Sequence, residues 1–317
     1  MIELSEAEEQ VLLVISYTEK TGNQTSRQDL RKIGEENIGK FLLDWEQAYA
    51  NLIRKGLIRK TENRIFLTPE GERHRDFLLR KKNLVAYEYD NFFSSATASK
   101  AHQKFCKEVY GLDLCQNGIT DLSQLHKLLE VLDLSDANTV LELGCGNGLI
   151  AKYIWDKTGA TITGIDISKT AIEQAKKLSS KSQYLNFQIG NMYHLEFSEN
   201  SVDTIISIDT LYFVDDKLDQ VIPQLLKILK PNGQMGVFFT QWIDGEHEKE
   251  LLEPRSTELA MVLNKNNLNY KTWNFTNEET KHWQKKIQVL EKLKPEFLEE
   301  DNQRFTISGD HHEHTQS

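Results

Sequence analysis

Cysteine is scarce in this chain, and long apolar runs are missing. The 317 residues contain three cysteines, an odd number without C-x-x-C spacing, which argues against a disulfide framework and a zinc knuckle. No run approaches the roughly 18 uninterrupted apolar residues that a membrane span needs. The acidic opening MIELSEAEEQ lacks the basic start of a signal peptide. We therefore expect reduced thiols, no metal, no membrane association and a cytoplasmic location.

An excess of positive charge is also missing. The formal net charge is -10 at pH 7, which repels nucleic acid unless a basic face is segregated from the rest. Segregation is weak, because residues 1–82 carry 15 Lys and Arg against 14 Asp and Glu, and the remainder carries 23 against 34. A nucleic-acid partner is therefore disfavoured, although it is not excluded.

The first 82 residues are predicted to form three helices and a hairpin. Ser5 to Glu8 reads as a capping box, and Ser26 with Asp29 opens a second helix. A third helix carries Trp45 and its apolar neighbours on one stripe. The short alternating runs LIRK and RIFLT then give a hairpin pattern. Three helices followed by a hairpin resemble a winged-helix domain over residues 1–82.

Residues 83–134 are predicted to be helical and ordered. The segment is too rich in aromatic residues for a disordered linker. Its last part places Leu122, Leu125, Leu128, Leu129 and Leu132 at helical spacing, which indicates a helix packed against another element.

From residue 135 onward, short apolar runs alternate with helical ones. The strand candidates are Thr139 to Leu143, Thr161 to Ile165, Tyr184 to Ile189, Asp203 to Ile208 and Gln234 to Thr240. Helices are expected from about Leu149, Ser168 and Leu218. Such alternation predicts an α/β fold with a doubly wound, mostly parallel sheet and crossover helices on both faces, over residues 135–317.

A glycine-rich turn follows the first of these strands. In VLELGCGNGLIAKYI the glycines Gly144, Gly146 and Gly148 occupy alternate positions between a strand and a helix. Glycine lets the backbone turn tightly and approach a ligand where a Cβ would collide. The spacing is G-x-G-x-G, since Leu149 stands where a dinucleotide fingerprint has its third glycine.

Polar residues at three strand ends extend this pattern. Glu142 lies within the first strand, two residues before Gly144, where it can face a cationic amino group. Asp166 ends the second strand, 22 residues after Gly144, where a carboxylate can accept both ribose hydroxyl protons. Asn191 and Met192 follow the third strand, where an amide can pair with adenine and a thioether can lie on the ring.

With these four motifs, the segment from about Asp121 to Thr240 resembles class I S-adenosylmethionine-dependent methyltransferases. The resemblance implies S-adenosylmethionine as cofactor, S-adenosylhomocysteine as product and methyl transfer to a small-molecule acceptor. It implies cofactor contacts from Glu142, Gly144, Cys145 and Gly146 at the methionine part, Asp166 at the ribose, Asn191 and Met192 at the adenine, with Ile167 and Asp209 as further contacts. The family more often has Asp where Asn191 stands.

The last quarter departs from this family, which normally closes its sheet with an antiparallel hairpin. LNYKTWNFT supplies one strand candidate, and RFTIS is a poor second. We expect either a degraded last strand or a truncated chain.

Acceptor residues are expected beyond the carboxyl ends of the strands. The resemblance makes residues 83–134 a helical linker and lid over the active site. The acceptor-side candidates are Tyr87, Tyr89 and Tyr110 in this lid, and Asp209, Tyr212 and Trp242 after the fourth and fifth strands. Aromatic faces can favour the sulfonium or a cationic amine, or can simply pack the lid. His194 is expected to be a surface histidine rather than a base, and no general base is identified.

Two alternatives remain open. The first is a winged-helix transcriptional regulator whose core senses S-adenosylmethionine or a metabolite. Charge disfavours it, because the predicted third helix is acidic at its start and middle, and we favour a winged helix used for homodimerisation or to wall off the substrate. The second is a protein or nucleic-acid methyltransferase, which the acidic chain and the absence of an N-P-P-Y-like motif disfavour.

Overall fold

The chain divides into two compact units. The computed structural model describes residues 2–20, 45–61, 65–81, 84–241, 253–302 and 305. The first unit comprises Met1–Ser95 with Lys294–His311, and the second comprises Ala96–Leu293 with His312–Ser317. The predicted boundaries after residues 82 and 134 do not coincide with this division. The reason is that the helix after residue 83 packs largely within the first unit, where Tyr87 lies against its apolar core.

Helices surround a short hairpin in the first unit. Its elements are α1 (Glu6–Lys20), α2 (Trp45–Arg54), β1 (Ile58–Lys60), β2 (Ile65–Leu67), α3 (Pro69–Lys81) and most of α4 (Leu84–Ala96). The capping box is confirmed, because the Ser5 backbone N–H donates to Glu8 Oε2 at 2.7 Å and the Glu8 N–H donates to Ser5 Oγ at 3.3 Å. The hairpin is confirmed as well, with Ile58 opposite Leu67. The predicted second helix lies outside the described residues.

The second unit is a parallel sheet covered by helices. Its elements are α5 (Lys100–Tyr110), α6 (Leu122–Leu132), β3 (Thr139–Leu143), α7 (Leu149–Thr158), β4 (Thr161–Asp166), α8 (Lys169–Leu178), β5 (Leu185–Ile189), β6 (Val202–Ile208), α9 (Leu218–Ile228), β7 (Leu229–Phe238), α10 (Glu258–Lys265) and most of α11 (Thr276–Glu299). The five strands are parallel in the order β5-β4-β3-β6-β7. The predicted α/β sheet is confirmed, and the chain reverses its winding direction between β3 and β6, the position at which such sheets bind ligands.

Successive side chains of each strand point to opposite faces of the sheet, and both faces are apolar. Val140 and Ile162 belong to one buried cluster, together with the leucines of α6 and the apolar sides of α7 and α8. Leu141 and Ile165 belong to the other, which packs against α9 and α10. Burial on both faces explains why the strands read as continuous apolar runs.

Strand β7 begins earlier than predicted. Leu229 already pairs with Val202, and a register shift separates this pair from the regular pairing that starts at Gln234. Asn232 takes a φ of 67° within the intervening turn. The turn signal at Pro231 to Gly233 therefore marks an irregularity inside the strand rather than its start.

The antiparallel closure that the family leads one to expect is not formed by the described residues. Residues 268–275 hold no strand, and the side chains from Lys271 to Asn274 are exposed rather than alternating. The described sheet is accordingly all parallel, and α11 follows directly. RFTIS lies outside the described residues except for Phe305. Within the described ranges, no helix is both long enough and apolar enough to cross a membrane, and no cluster of three metal-ligating side chains occurs.

Candidate functional site

The glycine loop joins β3 to α7 in a conformation that glycine favours. Gly144, Gly146 and Gly148 have φ values of 69°, 53° and 78°. A Cβ on Gly144 would overlap the Thr210 side chain, and one on Gly148 would lie 2.6 Å from Phe187 Cζ. The loop is thus left-handed at three positions and tightly packed at two of them, so larger residues are excluded.

Asp166 is tied to this loop. Its Oδ2 accepts from the backbone N–H of Gly146 and its Oδ1 accepts from that of Ser168, both at 2.8 Å. The amides of Gly144 and Cys145 donate to the carbonyl of Ile165 at 2.8 and 3.0 Å. The end of β4 and the glycine loop are therefore one hydrogen-bonded unit, with the Asp166 carboxylate held in a fixed orientation. Ile167 follows Asp166 and is half-buried.

Glu142 is a buried acid without a hydrogen bond on one oxygen. The residue is 1% exposed, and its Oε2 has no partner among the described residues. Burial, assisted by the negative charge of Asp166, raises the pKa of Glu142 to about 8. A buried polar atom of this kind costs free energy unless a ligand satisfies it. A cation bordered by both acids would supply that interaction.

The expected adenine residues lie after β5. Asn191 Oδ1 accepts from the backbone N–H of Tyr193 at 3.0 Å, and Met192 packs against the apolar cluster beside α9. Asn191 is half-buried, whereas His194 is exposed. The predicted surface position of His194 is confirmed.

Cys145, between the first two glycines, is 5% exposed. Burial raises the pKa of its thiol well above the usual range, so the side chain stays a neutral packing group. None of the three cysteines forms a disulfide in the described structure.

Asp209 holds a loop rather than standing open at the end of β6. Its Oδ2 accepts from the backbone N–H groups of Ile119 and Thr120, both at 2.8 Å, and it takes a φ of 50°. Burial raises the pKa of the carboxyl, and the two amide donors oppose that shift. Asp209 thereby binds the segment between α5 and α6 to the carboxyl end of the sheet, where the glycine loop lies.

The tyrosines predicted to contact the acceptor lie in two different units of the structure. Tyr110 is buried in the second unit and donates to the carbonyl of Gly118 at 2.8 Å. Tyr212 is half-buried against Phe213, with ring centroids 4.7 Å apart. Tyr87 accepts from Gln10, and Tyr89 packs near Phe92 and Phe93, all within the first unit. The acceptor roles of these tyrosines stay predictions, and Trp242 lies outside the described residues.

Sequence reasoning missed the polar residues of α11. His282 and Lys286 are each 7% exposed, and Lys286 Nζ donates to the carbonyl of Gly118 at 3.0 Å. Both share a helix face with Val289, Leu290 and Leu293, which are buried. The sequence signal is a histidine followed four residues later by a lysine, both on the apolar stripe of an amphipathic helix.

The comparisons with known proteins concern this same region. A family model described as a methyltransferase domain matches residues 141–237, from β3 into β7. The matched residues include the glycine loop and Asp166, and this region is similar to the methyltransferase domains of that family. That family uses S-adenosylmethionine as methyl donor.

Two methyltransferases are similar to parts of this chain. Methyltransferase GfsG of Streptomyces halstedii is 31% identical over 114 residues, covering 35% of this chain and 41% of the relative. Phosphoethanolamine N-methyltransferase of Plasmodium falciparum is 27% identical over 220 residues, 64% of this chain and 82% of the relative. The chain thus spans well under half the length of GfsG.

A solved structure shares the fold. The phosphoethanolamine N-methyltransferase of Haemonchus contortus, crystallised with phosphomonomethylethanolamine and S-adenosylhomocysteine, superposes with a TM-score of 0.55 at 16% identity. The match covers 70% of this chain and 55% of that one. At this identity the similarity establishes the fold alone.

The site fits the methyl donor of this family. The unpartnered Glu142 Oε2 and the neighbouring Asp166 suit a cationic amino acid moiety better than a phosphate. The glycine loop gives the close backbone approach that a bound nucleoside needs.

Proposed function

We propose that the chain is an S-adenosylmethionine-dependent methyltransferase acting on a small-molecule acceptor. The observation that carries this proposal is the buried, unpartnered Glu142 carboxyl beside a glycine loop that is hydrogen-bonded to Asp166. Relatives named for sterol and phosphoethanolamine methylation support a small molecule as acceptor. When bound, S-adenosylmethionine supplies an electrophilic methyl group on a sulfonium.

The residues of this chain bind and orient. Glu142 and the glycine loop hold the methionine part of the cofactor, Asp166 holds the ribose, and Asn191 with Met192 holds the adenine. Their task is to keep the acceptor atom about 3 Å from the methyl group, in line with the bond that breaks, and to exclude water. Asp209 contributes by fixing the 119–120 backbone at the same edge of the sheet.

We propose in addition that the first unit contains a winged-helix domain over residues 1–82 that serves homodimerisation or walls off the acceptor. The described elements support this assignment: α1 and α2 are followed by the β1–β2 hairpin and then by α3. A helical linker and lid over residues 83–134 remains part of the same proposal.

Calorimetric titration of S-adenosylhomocysteine tests the proposal. Wild type is expected to bind, and Asp166→Ala is expected to weaken binding at least tenfold, about 1.4 kcal/mol. Asp203→Ala is the matched control. Asp203 also stands at a strand end, but it lies at the amino end of the strands, where it pairs with Lys230 and Thr139. Its affinity is expected to match wild type.

Methyl transfer is then measured with labelled S-adenosylmethionine and a panel of small-molecule acceptors. Folded wild type that fails to bind S-adenosylhomocysteine would sink the enzyme proposal. Equal weakening by Asp166→Ala and Asp203→Ala would also count against the assigned cofactor site.

A further inference from the structure

A buried polar cluster lies beside the cofactor loop in the second unit. We define the polar cluster as Tyr110 at the end of α5, Asp209 after β6, and His282 and Lys286 on α11. Tyr110 is 1% exposed, and the two α11 residues are each 7% exposed. Burying so many polar groups in one place is costly, and nothing in the cofactor site uses the two from α11.

Consecutive contacts connect the polar cluster to the glycine loop. The Thr210 side chain packs over Gly144, and the adjacent Asp209 accepts from the amides of residues 119 and 120. The carbonyl of Gly118, next along the chain, accepts from both Tyr110 Oη and Lys286 Nζ, at 2.8 and 3.0 Å. The polar cluster therefore lies next to the glycine loop, beyond the carboxyl end of β6.

Two aromatic rings and one carbonyl surround the Lys286 amine. Its Nζ lies 4.4 Å from the centroid of the Trp283 ring and 5.6 Å from that of Tyr110. The charge of Asp209 favours the ammonium, but burial outweighs it and lowers the pKa of Lys286 to about 8. A lysine with such a pKa can exchange a proton near neutral pH.

The same contacts argue against a cationic acceptor. A second cation beside Tyr110 would meet the Lys286 charge at the same aromatic ring, because the rings that would hold it already face an ammonium. The cation-binding role considered for Tyr110 is thus filled by the chain's own lysine.

His282 needs a partner that the described residues do not provide. Its Nε2 is buried without a hydrogen bond, and its ring lies 5.0 Å from that of Tyr110. Burial, with the charge of Lys286, lowers the pKa of His282 to about 4, so the ring is neutral at pH 7. A hydroxyl can donate to or accept from a ring nitrogen, and so satisfies either tautomer.

We propose that the polar cluster binds a weakly acidic hydroxyl, such as a phenol or an enol, and that Lys286 is the base that deprotonates it for O-methylation. This inference rests on the proposed function. The hydroxyl proton moves to the neutral Lys286 amine, and an oxygen electron pair forms the bond to the methyl carbon. The carbon–sulfur bond breaks, and its electron pair stays on sulfur as a neutral thioether. His282 orients the hydroxyl, and Lys286 later returns its proton to water.

The groups that set the proton affinity of Lys286 come from each packed element. Asp209 after β6 and Cys106 on α5 favour its ammonium form, the Tyr110 ring on α5 faces it, and on α11 the Lys286 charge interacts with His282. Methyl transfer is therefore expected to rise with pH through about 8, as Lys286 loses its proton.

A chromogenic phenol tests the proposal without turnover. The probe is 2-naphthol, added to the protein saturated with S-adenosylhomocysteine at a pH just above 8, where the Lys286 amine is largely neutral and the free probe is still largely protonated. Wild type is expected to show the phenolate absorption band, and Lys286→Met to lose it. Lys285→Met is the matched control, since Lys285 is the exposed neighbour on the same helix, and is expected to keep the band. Benzyltrimethylammonium is expected not to compete with the probe.

The outcomes separate the two proposals. Failure of wild type to bind S-adenosylhomocysteine overturns the proposed function, and the inference with it. Binding of S-adenosylhomocysteine without a phenolate band, a band retained in Lys286→Met, or displacement by the ammonium probe overturns the inference alone.

A second variant distinguishes loss of the base from loss of the folded structure. Lys286→Arg keeps the positive charge but does not lose a proton near neutral pH. We expect it to bind S-adenosylhomocysteine within threefold of wild type, to methylate 2-naphthol at least ~100-fold more slowly, and to lose the rise through pH 8. A pH profile identical to wild type would refute the role of Lys286.

Discussion

Carboxyl groups at the two ends of the parallel sheet have opposite pKa shifts. At the amino end, Asp203 Oδ2 accepts from the backbone N–H and hydroxyl of Thr139 at 2.8 and 2.7 Å, and from Lys230 Nζ at 2.9 Å. The Thr139 amide, with Lys230, holds the pKa of Asp203 down at about 2. At the carboxyl end, Glu142 on the neighbouring strand β3 is buried with one oxygen unpartnered, and its pKa is raised to about 8.

This contrast separates a carboxyl group that stabilises the fold from one whose burial costs free energy in the unliganded protein. Asp203 gains its hydrogen bonds on folding, so its charge favours the native state. Glu142 loses water on folding and gains nothing equivalent from the described chain, so its charge opposes the unliganded native state. Such a cost at a strand end is characteristic of a binding site.

The largest expected effect comes from filling the glycine loop. Gly144→Ala adds a Cβ that overlaps Thr210 at a φ of 69°. The strain and the clash together should lower the free energy of unfolding by about 4 kcal/mol and abolish S-adenosylhomocysteine binding. Thermal unfolding and calorimetry measure the two effects.

Gly56→Ala is the control for backbone strain alone. Gly56 has a φ of 68°, and nothing lies within 4 Å of the position its Cβ would take. The expected loss is about 1 kcal/mol, with unchanged S-adenosylhomocysteine affinity. Equal losses in the two variants would show that packing over the loop contributes nothing.

The second effect concerns the charge of Glu142. Because its folded pKa is raised above the ordinary value, the native state binds the extra proton, and stability falls as pH rises from about 4.5 to 8. In Glu142→Gln that component should vanish, so the unliganded variant should be roughly 2–3 kcal/mol more stable than wild type at pH 8. Denaturant titrations at several pH values measure this difference.

Glu142→Gln should nevertheless bind S-adenosylhomocysteine at least ~10-fold more weakly, because an amide does not pair with an ammonium as a carboxylate does. In wild type, binding near pH 7 should release about one proton as Glu142 ionises against the ligand. Calorimetry in buffers of different ionisation enthalpy counts that proton. Unchanged affinity together with no proton release would remove Glu142 from the cofactor site.

The same contrast explains which features the sequence could reveal. Strand β3 was predicted with both ends correct, because a short apolar run is followed at once by glycines. The start of β7 was misplaced by five residues, because a turn signal can lie within an irregular strand. Local patterns thus locate the sheet and the loop at its carboxyl end.

Contacts between distant segments escaped prediction. Lys286 meets the carbonyl of Gly118, which lies 168 residues away in the chain, and no local pattern encodes that pairing. Asp209 was expected to face a ligand, yet its geometry depends on the amides of residues 119 and 120. The polar cluster therefore forms only once α11 and the loop before α6 are packed.

The smallest expected effect lies at the amino end of the sheet. Asp203 has a folded pKa of about 2, below its ordinary 3.8, so the stability it contributes is present above about pH 4 and is lost as pH falls toward 2. Because the side chain is 27% exposed, Asp203→Asn should lower the free energy of unfolding at pH 7 by only about 1 kcal/mol. The gap between wild type and variant should close near pH 2, and S-adenosylhomocysteine affinity at pH 7 should not change. A variant that loses affinity without losing stability would mean that the amino end of the sheet communicates with the cofactor site, and the contrast between the two ends would fail.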